Sequence, residues 1–330
     1  GGDNTSTTFS GVLQDGTGGG ALSLTKTGSG TLTLNATGNT YSGGTTIKSG
    51  TLISGGPNDI NGLGSGDVLL GDTSGSTDAT LQLDSFSSTT YNNNIIVQSG
   101  NTGTMSILKS GNAPHTGIVT LGTGTEGKGV TLAQIGNAAW VHEFEGVIQD
   151  NASLTGTAGN VTIGSNNIGR VKFSGTSSNT YTGDTIVEGG TLELGKTGGA
   201  TAIAGNVTFG NGTSGQPYIK TIADNQFGPT TVMDFVNPGG QWTRFDLQGT
   251  TQTLAGITST GIGGIIQNRE GAGGGNSTLI VDNATAFTFA GHVRDGGSGT
   301  LSLVKEGAGT LTLEAYSPSL NRVFYTGTTT

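Results

Sequence analysis

One stretch, residues 28–52, constrains the fold more than any other: GSGTLTLNATGNTYSGGTTIKSGTL. Leu32 and Leu34 alternate with Thr31 and Thr33, the period-2 pattern of a half-buried strand. Gly28, Gly30, Gly38, Gly43, Gly44 and Gly50 punctuate it as turns. The pattern predicts two short strands with turns between them. It returns as TYTGDTIVEGGTLELG at 180–195 and as GAGTLTLEAYSPSLNRVFYTGTTT at 307–330. A second motif recurs with it. FSGVLQDG begins at Phe9, FEGVIQDN at Phe144 and FAGHVRDG at Phe289, spaced 135 and 145 residues apart. Tyr41, Tyr181 and Tyr325 repeat at 140 and 144. The chain therefore divides into modules 1–141 and 142–286 and the opening of a third, 287–330.

Between these landmarks run short apolar-alternating segments separated by turn residues. Almost none of the chain shows a helical period; 132–141 comes nearest, and Gly136 and Asn137 weaken it. Gly is 64 of 330, but Pro is only 6, which excludes a collagen-like repeat. Charged residues are only 11%, which argues against disorder. Short, evenly spaced strands fit a sandwich, a propeller or a solenoid. Tandem modules without a cap favour the solenoid, because each coil exposes a sheet edge and half a core. The next coil, about 4.8 Å away, covers both. The expectation is an all-β, parallel β-solenoid with few or no helices. Coils of roughly 20 to 25 residues give about 13 to 16 of them. The exceptional segment is 215–249, with three of the six Pro residues and one of the two Trp. It predicts a protruding loop near 215–243.

Residues 28–52 resemble the autotransporter-associated β-strand repeat, also called the passenger-associated transport repeat. Gly28, Gly30, Thr31, Leu32, Leu34, Asn39, Thr40, Tyr41, Gly43, Thr45, Ile47, Gly50, Thr51 and Leu52 carry the likeness. The second copy keeps Asn179, Thr180, Tyr181, Gly183, Thr185, Gly190, Thr191 and Leu192, with RVKFSG in place of the GTLTL element. The third keeps Gly307, Gly309, Thr310, Leu311, Leu313, Tyr325 and Gly327. The resemblance implies a right-handed parallel β-helix that is extracellular, either secreted or attached to a bacterial outer membrane. It implies a repeat that assists transport of long passengers, and it supplies no catalytic residue. A non-enzymatic stalk or adhesin follows as the expected function.

Other classes of function find little support. Net charge is −9, and the 13 Lys and Arg are scattered along the chain without a basic stripe, so nucleic acid is not an expected partner. No apolar window spans a membrane as a helix, and the few aromatics do not form barrel girdles, so membrane insertion is not expected. The opening GGDNTSTTFS has neither a charged nor an apolar leader region, as in a mature protein or an internal segment. Cys is absent, and His115, His142 and His292 lie far apart in unlike contexts, so no metal or other cofactor is expected. GTLELGKT at 190–197 has the spacing of a phosphate-binding loop, but its middle is a strand and no helix follows. GTGTEG at 122–127 reads as a coil corner.

Three sets of residues remain as candidates. Tyr218, Phe227, Trp242 and Trp140 are the aromatics the repeat least explains; they suit stacking on a glycan or partner surface, or packing. Asp224 and Asp246 are 22 residues apart, near one coil, with Arg244 on the same face as Asp246. Two carboxylates and an Arg suit a polysaccharide lyase or hydrolase. Against it, Asp246 takes the outward place that Gln82 has in LQLD. Finally, the third repeat stops before its last strand. Tyr325, Thr328 and Thr330 are expected at an open edge that either more polypeptide of a longer protein completes or, as the alternative function, a second copy does, associating end to end into a filament.

Overall fold

A computed structural model describes the chain except for residues 1–3, 37, 56–61, 85–89, 211–215, 237–241, 270–274, 315–322, 325 and 329–330. The strands form parallel sheets, and no helix occurs among the described residues. The chain is a β-solenoid of about 11 turns. That is fewer than the 13 to 16 expected. The coils are longer than expected: Leu32 pairs with Leu52, 20 residues on, but Val119 pairs with Ile148, 29 residues on. Turns accept extra residues without disturbing the strands they join. The 132–141 stretch is not a helix: Val130–Gln134 and Val141–Phe144 are strands with a turn between them.

Two compact units divide the chain, the first covering 1–162 with 167–171 and 180–182, the second the remainder. In the first unit, successive strands up to Val130–Gln134 alternate between two sheets, and Val141–Phe144 belongs to a third. One runs Thr7–Phe9, Thr31–Leu34, Gly50–Gly55, Ala79–Asp84, Met105–Lys109, Val130–Gln134. The other runs Leu24–Lys26, Thr45–Ile47, Val68–Leu70, Ile95–Val97, Val119–Leu121, Ile148–Asp150. The period-2 pattern becomes columns through the stack. Leu52, Leu81, Ile107 and Leu132 fall in one register and are fully buried. Ile47, Leu70, Val97 and Leu121 form the matching column of the facing sheet. A one-residue slip of any strand would turn its apolar set outward, so the columns fix the register.

In the second unit, Leu192, Ile219, Phe245, Ile266 and Val293 make such a column. Opposite them, the aromatic rings of Phe209, Phe235 and Phe289 pack at 5.3 and 5.1 Å between centroids. Of the 215–243 stretch, Tyr218–Thr221 and Val232–Val236 are strands seated in the coil. Residues 237–241 lie outside the described residues.

Two glycine positions of the repeat show why the motif needs them. Gly50 and Gly190 have φ of 68° and 60°, a left-handed turn that sets up the Thr-Leu strand behind it. Gly30 and Gly309 are needed for closeness: a Cβ there would stand 2.2 Å from the Thr5 and Thr285 carbonyl oxygens of the preceding coil.

Candidate functional site

The two sequence motifs, far apart in the chain, meet in space. The aspartate that ends each Phe-x-Gly motif holds the hydroxyl residue that follows each repeat tyrosine. Asp150 Oδ2 accepts from the Thr182 amide at 2.9 Å and from its hydroxyl at 2.7 Å. Asp295 Oδ2 accepts from the Thr326 amide and hydroxyl, both at 2.8 Å. At Asp15 the work is split, Oδ1 taking the Ser42 amide at 3.1 Å and Oδ2 its hydroxyl at 2.7 Å. The Ser42 hydroxyl, and then the Leu22 and Ser42 amides, hold the Asp15 carboxyl below its usual range.

The rest of the Asn-Thr-Tyr triplet extends the clamp. Thr40 and Thr180 amides donate to the Leu13 and Ile148 carbonyls of the Phe-x-Gly coil, both at 2.9 Å. Asn39 accepts from Leu13 N at 2.8 Å and donates to the Gly62 carbonyl at 3.0 Å, so one side chain ties the coils on both sides. Asn179 likewise donates to the Ala202 carbonyl at 2.8 Å. Tyr41 and Tyr181 fill the core with no exposed surface. Lys26 adds a further brace: its buried ammonium donates to the carbonyls of Thr27, Gly28 and Ser49, satisfying a turn and reaching the next coil. Lys305, at the same place in the third copy, donates to the Glu306 and Gly307 carbonyls.

Asp150→Ala removes both bonds to Thr182 and returns its exposed amide to water. A loss of about 1 kcal/mol is expected. Hydrogen exchange at the Thr182 amide, compared between the parent and the variant, checks it; unchanged protection would refute the clamp.

Three segments, residues 24–53, 169–194 and 303–330, match the family model of the passenger-associated-transport-repeat. The chain carries three passenger-associated transport repeats. No curated protein and no solved structure matches it. Within each repeat segment lie the serine or threonine and, where described, the tyrosine of the clamp, whereas Asp15, Asp150 and Asp295 stand outside the first two segments or before the third. Each passenger-associated repeat is thus completed by a coil that its own boundaries leave out. The repeats and the solenoid fit an autotransporter-passenger-like structure.

The sequence-derived candidates part company. Phe227 is 6% exposed and packs edge-on against Phe245 at 5.7 Å, the packing place that the sequence left open for it beside binding. Trp140 is half-buried and lies so close over Gly136 that a Cβ there would stand 2.6 Å from the ring. Tyr218 and Trp242 both belong to one sheet face of the second unit. Thr328 is exposed, and its carbonyl accepts from Leu303 N at 3.0 Å; Tyr325 and Thr330 lie outside the described residues. Asp224 and Asp246 do not share a site. Asp224 is exposed and caps the Thr251 amide at 2.8 Å. Asp246 is an outward position by register, as read from Gln82, yet it is fully buried. It accepts from the Tyr218 hydroxyl, and from the Arg269 amide at 2.7 Å. Burial raises its pKa. Burial, and then the bond to Asp246, also raise that of Tyr218. Among the described residues no group of three His, Asp or Glu is placed to hold a metal ion.

That face has a feature the sequence reading missed. Its outward columns are Thr191–Tyr218–Arg244–Ile265–His292 and Glu193–Lys220–Asp246–Gln267–Arg294. Arg269 follows directly on the Gly264–Asn268 strand. Arginines scattered along the chain therefore gather on one face: Arg244, Arg269 and Arg294 recur every 25 residues, close to the 21- and 27-residue coils here, so they fall on successive coils without sharing a column. That recurrence was the available signal.

Proposed function

We propose that this chain is a non-enzymatic, surface-displayed or secreted passenger segment, an extracellular stalk or adhesin whose repeats assist its export. One observation carries the reading: each passenger-associated repeat is bolted to the preceding Phe-x-Gly coil by an aspartate clamp. A clamp made within about one coil forms as soon as that coil has emerged and needs no distant partner. Local closure of this kind suits a chain that folds as it leaves a membrane, since short-range contacts form with little loop entropy. The test joins the chain to an outer-membrane translocator and measures protease-accessible protein at the cell surface. Replacing Asn39, Thr40, Tyr41, Asn179, Thr180 and Tyr181 by Ala is expected to lower surface display several-fold. Equal display by the replaced chain would overturn the reading.

A further inference from the structure

Among the described residues, no carboxylate side chain pairs with the guanidinium of Arg244, Arg269 or Arg294; Glu193 shares the face but stands beside Lys220 in register. Asp246 is the carboxylate nearest in register, but it is buried and its oxygens are engaged by the Tyr218 hydroxyl and the Arg269 amide. Arg294 is held by a neutral group: its Nε and Nη2 both donate to Gln267 Oε1, at 3.1 and 2.8 Å. The guanidinium of Arg244 makes no ion pair or hydrogen bond to another described residue. Burial, and then the charges of Arg244 and Arg269, push the Arg294 pKa down. Like charges gathered this way repel one another, and a structure tolerates them where an anion relieves the repulsion.

The same place carries an exposed aromatic. Trp242 is 40% exposed, with its ring 5.4 Å from that of His292. Trp242, Arg244, Ile265, His292 and Arg294 line one shallow cavity of about 160 Å³. An indole beside two guanidiniums offers an apolar plane and a charged fork in one depression. Arginine binds carboxylates and sulfates through paired N–H groups, and the indole face takes the C–H side of a sugar ring. The remainder of the chain is acidic, so an acidic polymer is held here and repelled elsewhere.

We propose that Trp242, Arg244 and Arg294 form a subsite for an acidic polysaccharide, its carboxylate or sulfate between the guanidiniums and its sugar ring against the indole. The fixed guanidinium of Arg294 gives the site direction, since Gln267 sets its plane. This inference does not depend on the export reading. The binding is measured on purified protein in solution, so its failure and that of surface display are separate results.

The experiment is titration calorimetry of the whole chain with three polymers of matched length: oligogalacturonate for carboxylates, a heparin oligosaccharide for sulfates, and neutral dextran. Binding to one or both acidic polymers, weakened by raised salt, with none to dextran, is the expected result. The tighter of the two identifies the acid group. Arg244→Gln with Arg294→Gln is expected to weaken binding at least about tenfold. Trp242→Ala is expected to weaken the saccharides but not inorganic polyphosphate, titrated as a fourth polymer, which has no ring to stack. Thermal melting of each variant shows whether it is folded; for a double variant that melts early, Arg244→Lys, which keeps the charge and loses the fork, replaces it with the same expected direction. No binding to either acidic polymer, equal binding to dextran, or binding unchanged in the variants overturns the proposal.

Discussion

Tyr41→Ala is expected to destabilise the first repeat by about 3–5 kcal/mol, the range for deleting a large buried ring. Tyr41 has no exposed surface. Its hydroxyl lies 2.6 Å from Thr45 Oγ1 on the strand that follows. Above it the next coil closes tightly: Ser65 N donates to the Tyr41 carbonyl at 3.0 Å, and a Cβ on Gly64 would stand 2.9 Å from the ring. With a glycine pressed on one side, the neighbours have little room to collapse into a cavity, so the loss falls at the upper part of the range. Tyr41→Phe keeps the ring and removes only the hydrogen bond, with an expected loss of about 1 kcal/mol. In a stacked array the damage is carried by nearest neighbours. Exchange protection is therefore expected to fall in the coils around 24–70 and to hold near 119–134. Urea titration of the three proteins checks the order of stability. Equal midpoints for Tyr41→Ala and the parent would show that the repeat tyrosine fills no structural place.

The fold was legible in the sequence because the repeat writes each coil's local rule. Leu32 and Leu34 mark a strand, and Gly28, Gly30 and Gly50 mark where a coil must turn or approach its neighbour. These are decided within a few residues. The number of coils was not, since turn length varies freely between strands: Gly50–Gly55 and Ala79–Asp84 pair in perfect register across an insertion that the pattern could not weigh. The candidate site was the least legible part. Arg244, Gln267 and Arg294 become neighbours only through register, which depends on how many residues each corner absorbs. For the same reason Asp246 seemed exposed on alternation alone. Alternation gives the face of a strand but not what lies over it, and here Tyr218, one coil earlier, reaches across to cover the carboxylate. Phe227 is open between packing and binding on sequence alone. It stands outside any repeat pattern, yet it packs against Phe245 in the core. The aspartate clamps were half visible: Asp15, Asp150 and Asp295 recur plainly, as do the hydroxyl residues after the repeat tyrosines, but their pairing shows only once the coils are stacked.

Stability is expected to fall as pH drops from about 6.5 toward 4, and the cause lies in the core of the first unit. His115 and His142 are 1% and 0% exposed. His115 Nε2 lies 2.9 Å from the Asn93 carbonyl and His142 Nδ1 lies 3.3 Å from that of Ala133, so these nitrogens carry the protons. The other nitrogens, His115 Nδ1 and His142 Nε2, have no hydrogen-bond partner among the described residues. Protonating either would add a buried cation. Lys109 is already buried beside them, its ammonium 4.5 Å from the centre of the Tyr91 ring. Burial, more than the charge of Lys109, lowers the His115 pKa to about 4, and burial lowers that of His142 well below its ordinary value. The folded histidines therefore bind protons less readily than the unfolded ones. Their contribution is whole above pH 6.5 and is lost as pH falls through the folded pKa. For His115 this amounts to about 3 kcal/mol by pH 4, and His142 adds to it. Asp84 works the other way. Burial raises its carboxyl, against the bonds from Gln82 and the charge of Lys109, so acid relieves a strain there. The histidines act at higher pH than the ordinary carboxylate range, which separates the two effects. Urea midpoints at pH 7, 6, 5 and 4.5 measure the slope. His115→Gln with His142→Gln, compared with the parent from its own midpoint at pH 7, is expected to flatten it between pH 6.5 and 4.5. A slope that survives both substitutions would place the acid sensitivity elsewhere, in carboxylates such as Asp15 that hydrogen bonds hold below their usual range.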